Sequence, residues 1–258
     1  MQLYAHDSRD SLVFSCNAEK HINYFCLECR SIVRVREGVY RQPHFYHLKL
    51  THQCSQNAKS LTHIRLQIYL KELMPDEDVY LEHRFLEIKR IADVAWHSKK
   101  IIFEIQCSPL SKEEMQARTK DYYSLGYEVV FILHDKRFNQ RRLSAVEMGL
   151  LDQTHYYTNM NQAGNGMIYD QWQFIERGQR KSSLPPLPVD LSKPYLLNNR
   201  IGFKGDVRSL PKGHFYLTKI ESRKKELKQQ ALNPLKIFDA LSGAFHHFIR
   251  SCLKPYCD

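Results

Sequence analysis

Residues 90–107 read RIADVAWHSKKIIFEIQC, two runs rich in β-branched and aromatic residues around a polar break. That pattern predicts a β-hairpin. With Ser98-Lys99 at the tip of a two-residue turn, facing positions sum to 197, which sets Asp93 opposite Glu104. Directly opposed side chains stand roughly 4.5–5.5 Å apart at Cβ, where two carboxylates repel unless a cation lies between them. A divalent metal resolves that repulsion. Gln106 shares a face with Glu104, while Ile101, Phe103 and Ile105 line the other. The turn HSKK lacks an Asn-Gly or Asp-Gly signature, so a register one residue away competes with this one. Ordinary surface acids on a half-exposed sheet are the competing account of the pair.

Working outward, Leu61, Ile64, Ile68 and Tyr69 fall at helical spacing and Pro75 closes the run, which predicts a helix over about 58–74. VYLEHRFL (79–86) is a further strand, so RIADVAW and IIFEIQC are the second and third of three. Ser111 and Glu114 fit a capping box opening a helix that ends near Leu125-Gly126. YEVVFILH (127–134) is apolar throughout, as a parallel strand covered on both faces is, and a helical crossover leads to it. LSAVEMGLLD (143–152) predicts a short helix and MIYDQWQFI (167–175) a strand. Residues 57–176 thus form an α/β core in the order helix, three strands, helix, strand.

Ahead of the core, residues 1–56 are rich in Cys, His and aromatics and predict a small ribbon of short strands. Cys26-x-x-Cys29 and His44-x-x-His47 present two donor pairs of the kind tetrahedral Zn²⁺ takes. His52 and Cys54 are close enough to replace one of the histidines. A redox-active Cys pair is the alternative, but that motif opens a helix after a strand, whereas here Arg30 and Ser31 lead into the strand-like IVRVR. Four filled positions make the metal a folding element.

These residues carry a resemblance. RIADVAW, FEIQCSPLS, ARTKDYY and FILHD, with FCLEC and HFYH upstream, resemble the competence protein CoiA family, whose core is similar to PD-(D/E)XK nucleases and is preceded by a zinc-ribbon-like segment. The match spans about residues 20–135. The resemblance implies that Asp93, Glu104 and the main-chain carbonyl of Ile105 hold Mg²⁺ or Mn²⁺. It places Gln106 where a lysine is usual. It implies that Arg118 and Tyr122, at i and i+4 on one helix face, reach the scissile phosphate or brace the site. His63 faces phosphate or water, or is a buried structural histidine. One departure stands out: the family's usual Glu-Ser-x-x-His is here Lys59-Ser60-Leu61-Thr62-His63, with Gln67 at the following Lys position. Losing that carboxylate weakens metal binding. The implied activity is cleavage of DNA in natural transformation, with recombination or DNA-uptake proteins as companions. A degenerate, DNA-binding adaptor is the alternative.

Composition bounds these readings. The 258 residues carry 38 Lys plus Arg against 28 Asp plus Glu, a net +10, which favours a polyanionic partner. Residues 177–258 hold 16 of the basic and 6 of the acidic residues, so the rest is neutral. RGQRKSSLPPLPVDLSKP (177–194) reads as a linker. A polar helix over 219–230 then offers Lys219, Arg223, Lys224, Lys225 and Lys228 to phosphates, unless it is merely a solvated face. After Pro234 an apolar helix carrying Phe238, Leu241, Phe245 and Phe248 belongs to the core or to a protein partner. No apolar run nears the roughly 18–20 residues of a membrane span, the start lacks a secretory signal pattern, and seven Cys is an odd number. The expectation is a cytoplasmic protein with reduced thiols and no membrane insertion.

Overall fold

The structure, a computed structural model, describes residues 1–39, 41–49, 54–151, 153–171, 173–196 and 216–217. The helices expected over 219–230 and after Pro234 lie outside these residues. So do Lys219, Arg223, Lys224, Lys225, Lys228 and His52.

The chain begins with an antiparallel sheet made of β1 (Tyr4–His6), β2 (Leu12–Phe14), β3 (Tyr24–Phe25), β4 (Ile32–Gly38) and β5 (Arg41–His47), in the order β2-β1-β3-β4-β5. Gln2 and Phe45 exchange both main-chain hydrogen bonds, which folds the far edge back on the start. Ala5, Tyr24, Val33, Val35 and Phe45 fill the interior.

The larger layer is a mixed sheet. It follows α1 (Leu61–Leu73) and contains β6 (Val79–Phe85), β7 (Arg90–Trp96) and β8 (Ile101–Gln106). Then come α2 (Lys112–Ser124), β9 (Glu128–His134), α3 (Ala145–Leu150), β10 (His155–Thr158) and β11 (Ile168–Asp170). Strands β6, β7 and β8 are successively antiparallel, while β8, β9 and β10 run parallel. The β7/β8 register is the expected one: Val94 faces Phe103, Ala95 Ile102 and Trp96 Ile101, each pair summing to 197.

Alternation along β8 and β9 divides two cores. Phe103, Ile105, Val130 and Ile132 pack with Leu66 and Leu70 of α1, and Ile102, Val129, Phe131 and Leu133 pack with Met115 and Tyr122 of α2. Burying each such side chain stabilises the fold by about 1.5–3 kcal/mol. Ser60 caps α1 by accepting from His63 N, and Ser111 caps α2 by accepting from Glu114 N. The capping box at Ser111 is only half formed, because the Glu114 carboxylate turns to Arg90 and Arg118. Gly126, at φ +79°, ends α2 in a Schellman motif: Tyr127 N donates to Tyr122 O and Gly126 N to Tyr123 O.

The structure corrects two expectations near the core's end. MIYDQWQFI is not one strand. It divides into β11 and β12 (Gln173–Glu176), and β12 turns through Arg177-Gly178, both at positive φ, into β13 (Gln179–Ser183). That is the geometry of a two-residue type I′ hairpin. Nor are residues 177–194 merely a linker. β14 (Leu187–Pro188) pairs with β11, and Val189 and Leu191 enter the core on the α1 side. The stretch reads as a linker because its apolar residues are few and set among Pro, Ser and Arg. Leu191 is fully buried, and Leu191→Ala is expected to lower stability by about 3 kcal/mol, seen as an earlier urea midpoint at unchanged slope. An unchanged midpoint would mean that the segment is peripheral.

Candidate functional site

The first cluster grows from the knuckle after β3. Cys26 N donates to Ser31 O and Arg30 N to Cys26 O, a tight loop that brings Cys26 and Cys29 to one side. The donor atoms of Cys26, Cys29, His47 and Cys54 all lie within 4.8 Å of one another. Cys29 Sγ is 3.3 Å from His47 Nε2, and Cys26 Sγ is 3.6 Å from Cys54 Sγ. Burial, with the charges of Cys26 and Glu28, pushes the Cys54 thiol up. Cys29, where hydrogen bonds from Ser31 and His47 outweigh burial, is lowered to about 6. Three crowded sulfurs ionise together only beside a cation, and a Cys₃His set is one that structural zinc takes. The residues fit that ion.

The expected ligand His44 is not among them. HFYH lies on β5, where side chains alternate, so positions 44 and 47 point to opposite faces. His44 is buried away from the sulfurs, its Nδ1 2.8 Å from Gln42 O. On that side of β5, Arg65 of α1 donates to Gln42 Oε1. Cys54 fills the vacant corner. Glu28 fixes it in place, accepting from Cys54 Sγ, Ser55 N, Ser55 Oγ and Gln56 N.

The second site lies where β7 and β8 part. Regular pairing ends at Val94 and Phe103, and at the next level the Asp93 side chain enters the fork, its Oδ2 accepting from Ile105 N at 2.9 Å. Its Oδ1 faces α1. There His63 Nε2 is 2.9 Å away, Lys59 Nζ 3.0 Å and Gln67 Nε2 3.3 Å. The buried face of α1 is therefore polar at His63 and Gln67 and apolar from Leu70 onward. Burial alone would raise the Asp93 carboxyl, but the charges of His63 and Lys59 outweigh it and hold it well below the usual range.

Glu104 is met from the other side of the sheet. Arg118 Nη1 donates to Oε2 at 2.6 Å and Tyr122 Oη to Oε1 at 2.9 Å. Arg118 also donates to Glu114, which Arg90 shares. Burial, helped by the nearby Asp93 charge, raises the Glu104 carboxyl despite Arg118. Asp93 and Glu104 are 4% and 2% exposed, so the groups packed around them weigh heavily on their charge state. Gln106 lies on the same face as Glu104, but its amide nitrogen donates to Ser108 O and Oγ.

One residue of the site escapes a reading of the hairpin alone. Glu82 precedes Asp93 by eleven positions, as Asp93 precedes Glu104, and that equal spacing is the signal that would have found it. The β6/β7 register skips the pair 82 and 93, and Glu82 takes φ +50° there. Its Oε1 accepts from Lys59 Nζ at 3.0 Å, and its Oε2 accepts from Leu3 N and Tyr4 N. Three carboxylates thus cross three strands in a row, with one ammonium set between the first two.

The buried acidic row at a strand fork, braced by a helix on each face, lies in a mixed α/β domain preceded by a Cys₃His module. Residues 59–176 match the family described as competence protein CoiA, nuclease-like domain, and residues 5–57 match competence protein CoiA, N-terminal domain. The chain belongs to the competence protein CoiA family. Neither curated proteins nor solved structures give a match. Among the described residues no helix is long and apolar enough to cross a membrane.

Proposed function

We propose that this chain is a metal-dependent DNA nuclease of PD-(D/E)XK type, acting on incoming DNA during natural transformation and recombination. The observation that carries this reading is the burial of Asp93 and Glu104 where β7 and β8 part, near enough for the charge of Asp93 to act on Glu104. With the carbonyl of Ile105 they are the hard oxygen donors that suit Mg²⁺ or Mn²⁺. Gln67 Oε1 supports the reading: it is a buried oxygen without a partner beside Asp93. When bound, the ion acts as a Lewis acid on the phosphodiester and makes a bound water more acidic.

The chain's own groups do the rest. His63 and Ile105 N fix the orientation of Asp93 and keep it anionic. Tyr122 fixes Glu104. Arg118, with about a fifth of its side chain exposed where Tyr122 is buried, is the one of that pair able to meet a phosphate, for which its planar fork is suited. Gln106 orients a water once its amide leaves Ser108, but brings no positive charge. DNA is gripped by the basic residues of 197–258, which hold 12 Lys plus Arg against 5 Asp plus Glu, with Lys219, Arg223, Lys224, Lys225 and Lys228 foremost. Arg34 and Arg36, beside Tyr46 in a cleft of the N-terminal sheet where Lys20 pairs with Glu37, offer DNA a separate basic surface.

The test is cleavage of single- and double-stranded DNA with and without Mn²⁺. The wild type is expected to nick DNA only with the ion. Glu104→Gln is expected to lose about three orders of magnitude in rate, the several kcal/mol of charge stabilisation such a site supplies, with unchanged circular dichroism. Full activity in Glu104→Gln would sink the assignment. Lys59, an ammonium bonded to Asp93, favours a second reading, a non-cleaving DNA-binding adaptor. That protein would bind DNA with steep salt dependence and cut it under no metal condition.

A further inference from the structure

Lys59 is an ammonium on a nearly buried side chain, 8% exposed, reaching from the residue before the α1 cap into the carboxylate row. It stands 3.0 Å from Glu82 Oε1 and 3.0 Å from Asp93 Oδ1, the position of a bridging cation. Glu82 is in turn anchored by the main-chain N–H groups of Leu3 and Tyr4, so neither the acid nor the ammonium is free to swing away.

The side chains already supply much of the row's counter-charge. Lys59 lies between Glu82 and Asp93, His63 stands 2.9 Å from Asp93, and Arg118 meets Glu104 and is shared with Glu114. One divalent ion between Asp93 and Glu104 makes the row more positive, the complement of a phosphodiester. A second would add two further positive charges beside the Lys59 ammonium, among acids that are only 2–4% exposed.

We propose that the Lys59 ammonium is a built-in cation occupying, between Glu82 and Asp93, the position a second divalent ion would take, so that this site works with a single exchangeable metal. This rests on reading Asp93 and Glu104 as ligands of a divalent ion. Glu82 is the positioning residue that holds the ammonium in line. The arrangement fixes part of the positive charge by folding, so only the remainder depends on the concentration of free metal.

The experiment counts Mn²⁺ on the zinc-loaded full chain by calorimetric titration and electron paramagnetic resonance. The wild type is expected to bind about one Mn²⁺ with an uncoupled spectrum, and Lys59→Glu about two, with the broadened spectrum of a spin-coupled pair. Lys59→Gln/Glu82→Gln, which keeps the charge balance, is expected to return to about one. Should Lys59→Glu not fold, Lys59→Gln in the presence of Mn²⁺ replaces it, since it too vacates the gap and is expected to gain the second ion. Two ions on the wild type, or no gain on vacating the gap, would overturn the inference while leaving the single-metal ligands Asp93 and Glu104 standing. No bound Mn²⁺ on the wild type would overturn the metal-dependent reading itself, and the inference with it.

Discussion

Cys54→Ser is expected to release the zinc and unfold the N-terminal sheet. Cys26, Cys29, His47 and Cys54 are the only described groups of their kind gathered within 4.8 Å, and Cys54 comes from beyond β5, so with the hydrogen bonds of Ser55 and Gln56 to Glu28 it ties the segment leading into α1 to the knuckle. Structural zinc sites in small modules bind with an apparent free energy of about 10–16 kcal/mol at pH 7, and that energy is folding energy. Removing one of four ligands therefore removes most of the driving force for a sheet whose buried cluster, apart from the ligands Cys26 and Cys54, is Ala5, Tyr24, Val33, Val35 and Phe45. Zinc content measured by atomic absorption should fall from about one per chain to near zero, with loss of the module's amide protection in hydrogen exchange. His44→Gln is expected to keep its zinc, because His44 points away from the sulfurs. The reverse pattern, zinc kept without Cys54 and lost without His44, would restore the ligand set expected from spacing.

Lys59→Met is expected to destabilise the core by about 3–5 kcal/mol, the cost of leaving buried charge without its partner. Here two carboxylates lose one shared cation, so the upper end applies, and at about 2–4 °C per kcal/mol the melting temperature falls by roughly 10–20 °C. Adding Glu82→Gln removes one of the stranded charges and should recover a large part of that loss. The pH dependence has a definite sign. Asp93 titrates below its ordinary 3.8 in the folded protein, so its stabilising contribution is present above 3.8 and fades as pH falls further. The deficit of Lys59→Met is therefore largest near neutrality and narrows in acid as the stranded carboxylates take up protons. Thermal melts from pH 7 to pH 3.5 without divalent ions measure this. A constant deficit, or one below about 1 kcal/mol, would mean that the ammonium neutralises nothing.

How far the sequence could be read depended on whether the needed information was local. The β7/β8 register was legible because a hairpin's pairing follows from the position of its tip, and Ser98-Lys99 mark that tip. The cap at Ser111 and the stop at Gly126 were legible because each rests on residues within one turn of the helix. Glu82 was not, since its place beside Asp93 needs a second register and an irregular residue at φ +50°. His44 was misread for a related reason: two positions three apart share a face on a helix or a turn, and face oppositely on a strand. Lys59 was visible as a departure from the family's glutamate, but only coordinates reveal that its charge reaches two carboxylates. In residues 187–191, burial of Val189 and Leu191 depends on a long-range pairing with β11 that no local composition announces.

Glu82 has a consequence for how the two matched units are joined. One of its oxygens is held by amides of the N-terminal sheet's opening residues, the other by a lysine that belongs to the nuclease-like domain. A core excised at residue 58 would lose Leu3 N and Tyr4 N and leave that carboxylate half satisfied at the bottom of its own site. The front module is thus a structural wall of the acidic row, and grafting it from another member of the family, or deleting it to isolate the core, changes the hydrogen bonding and charge balance of that row.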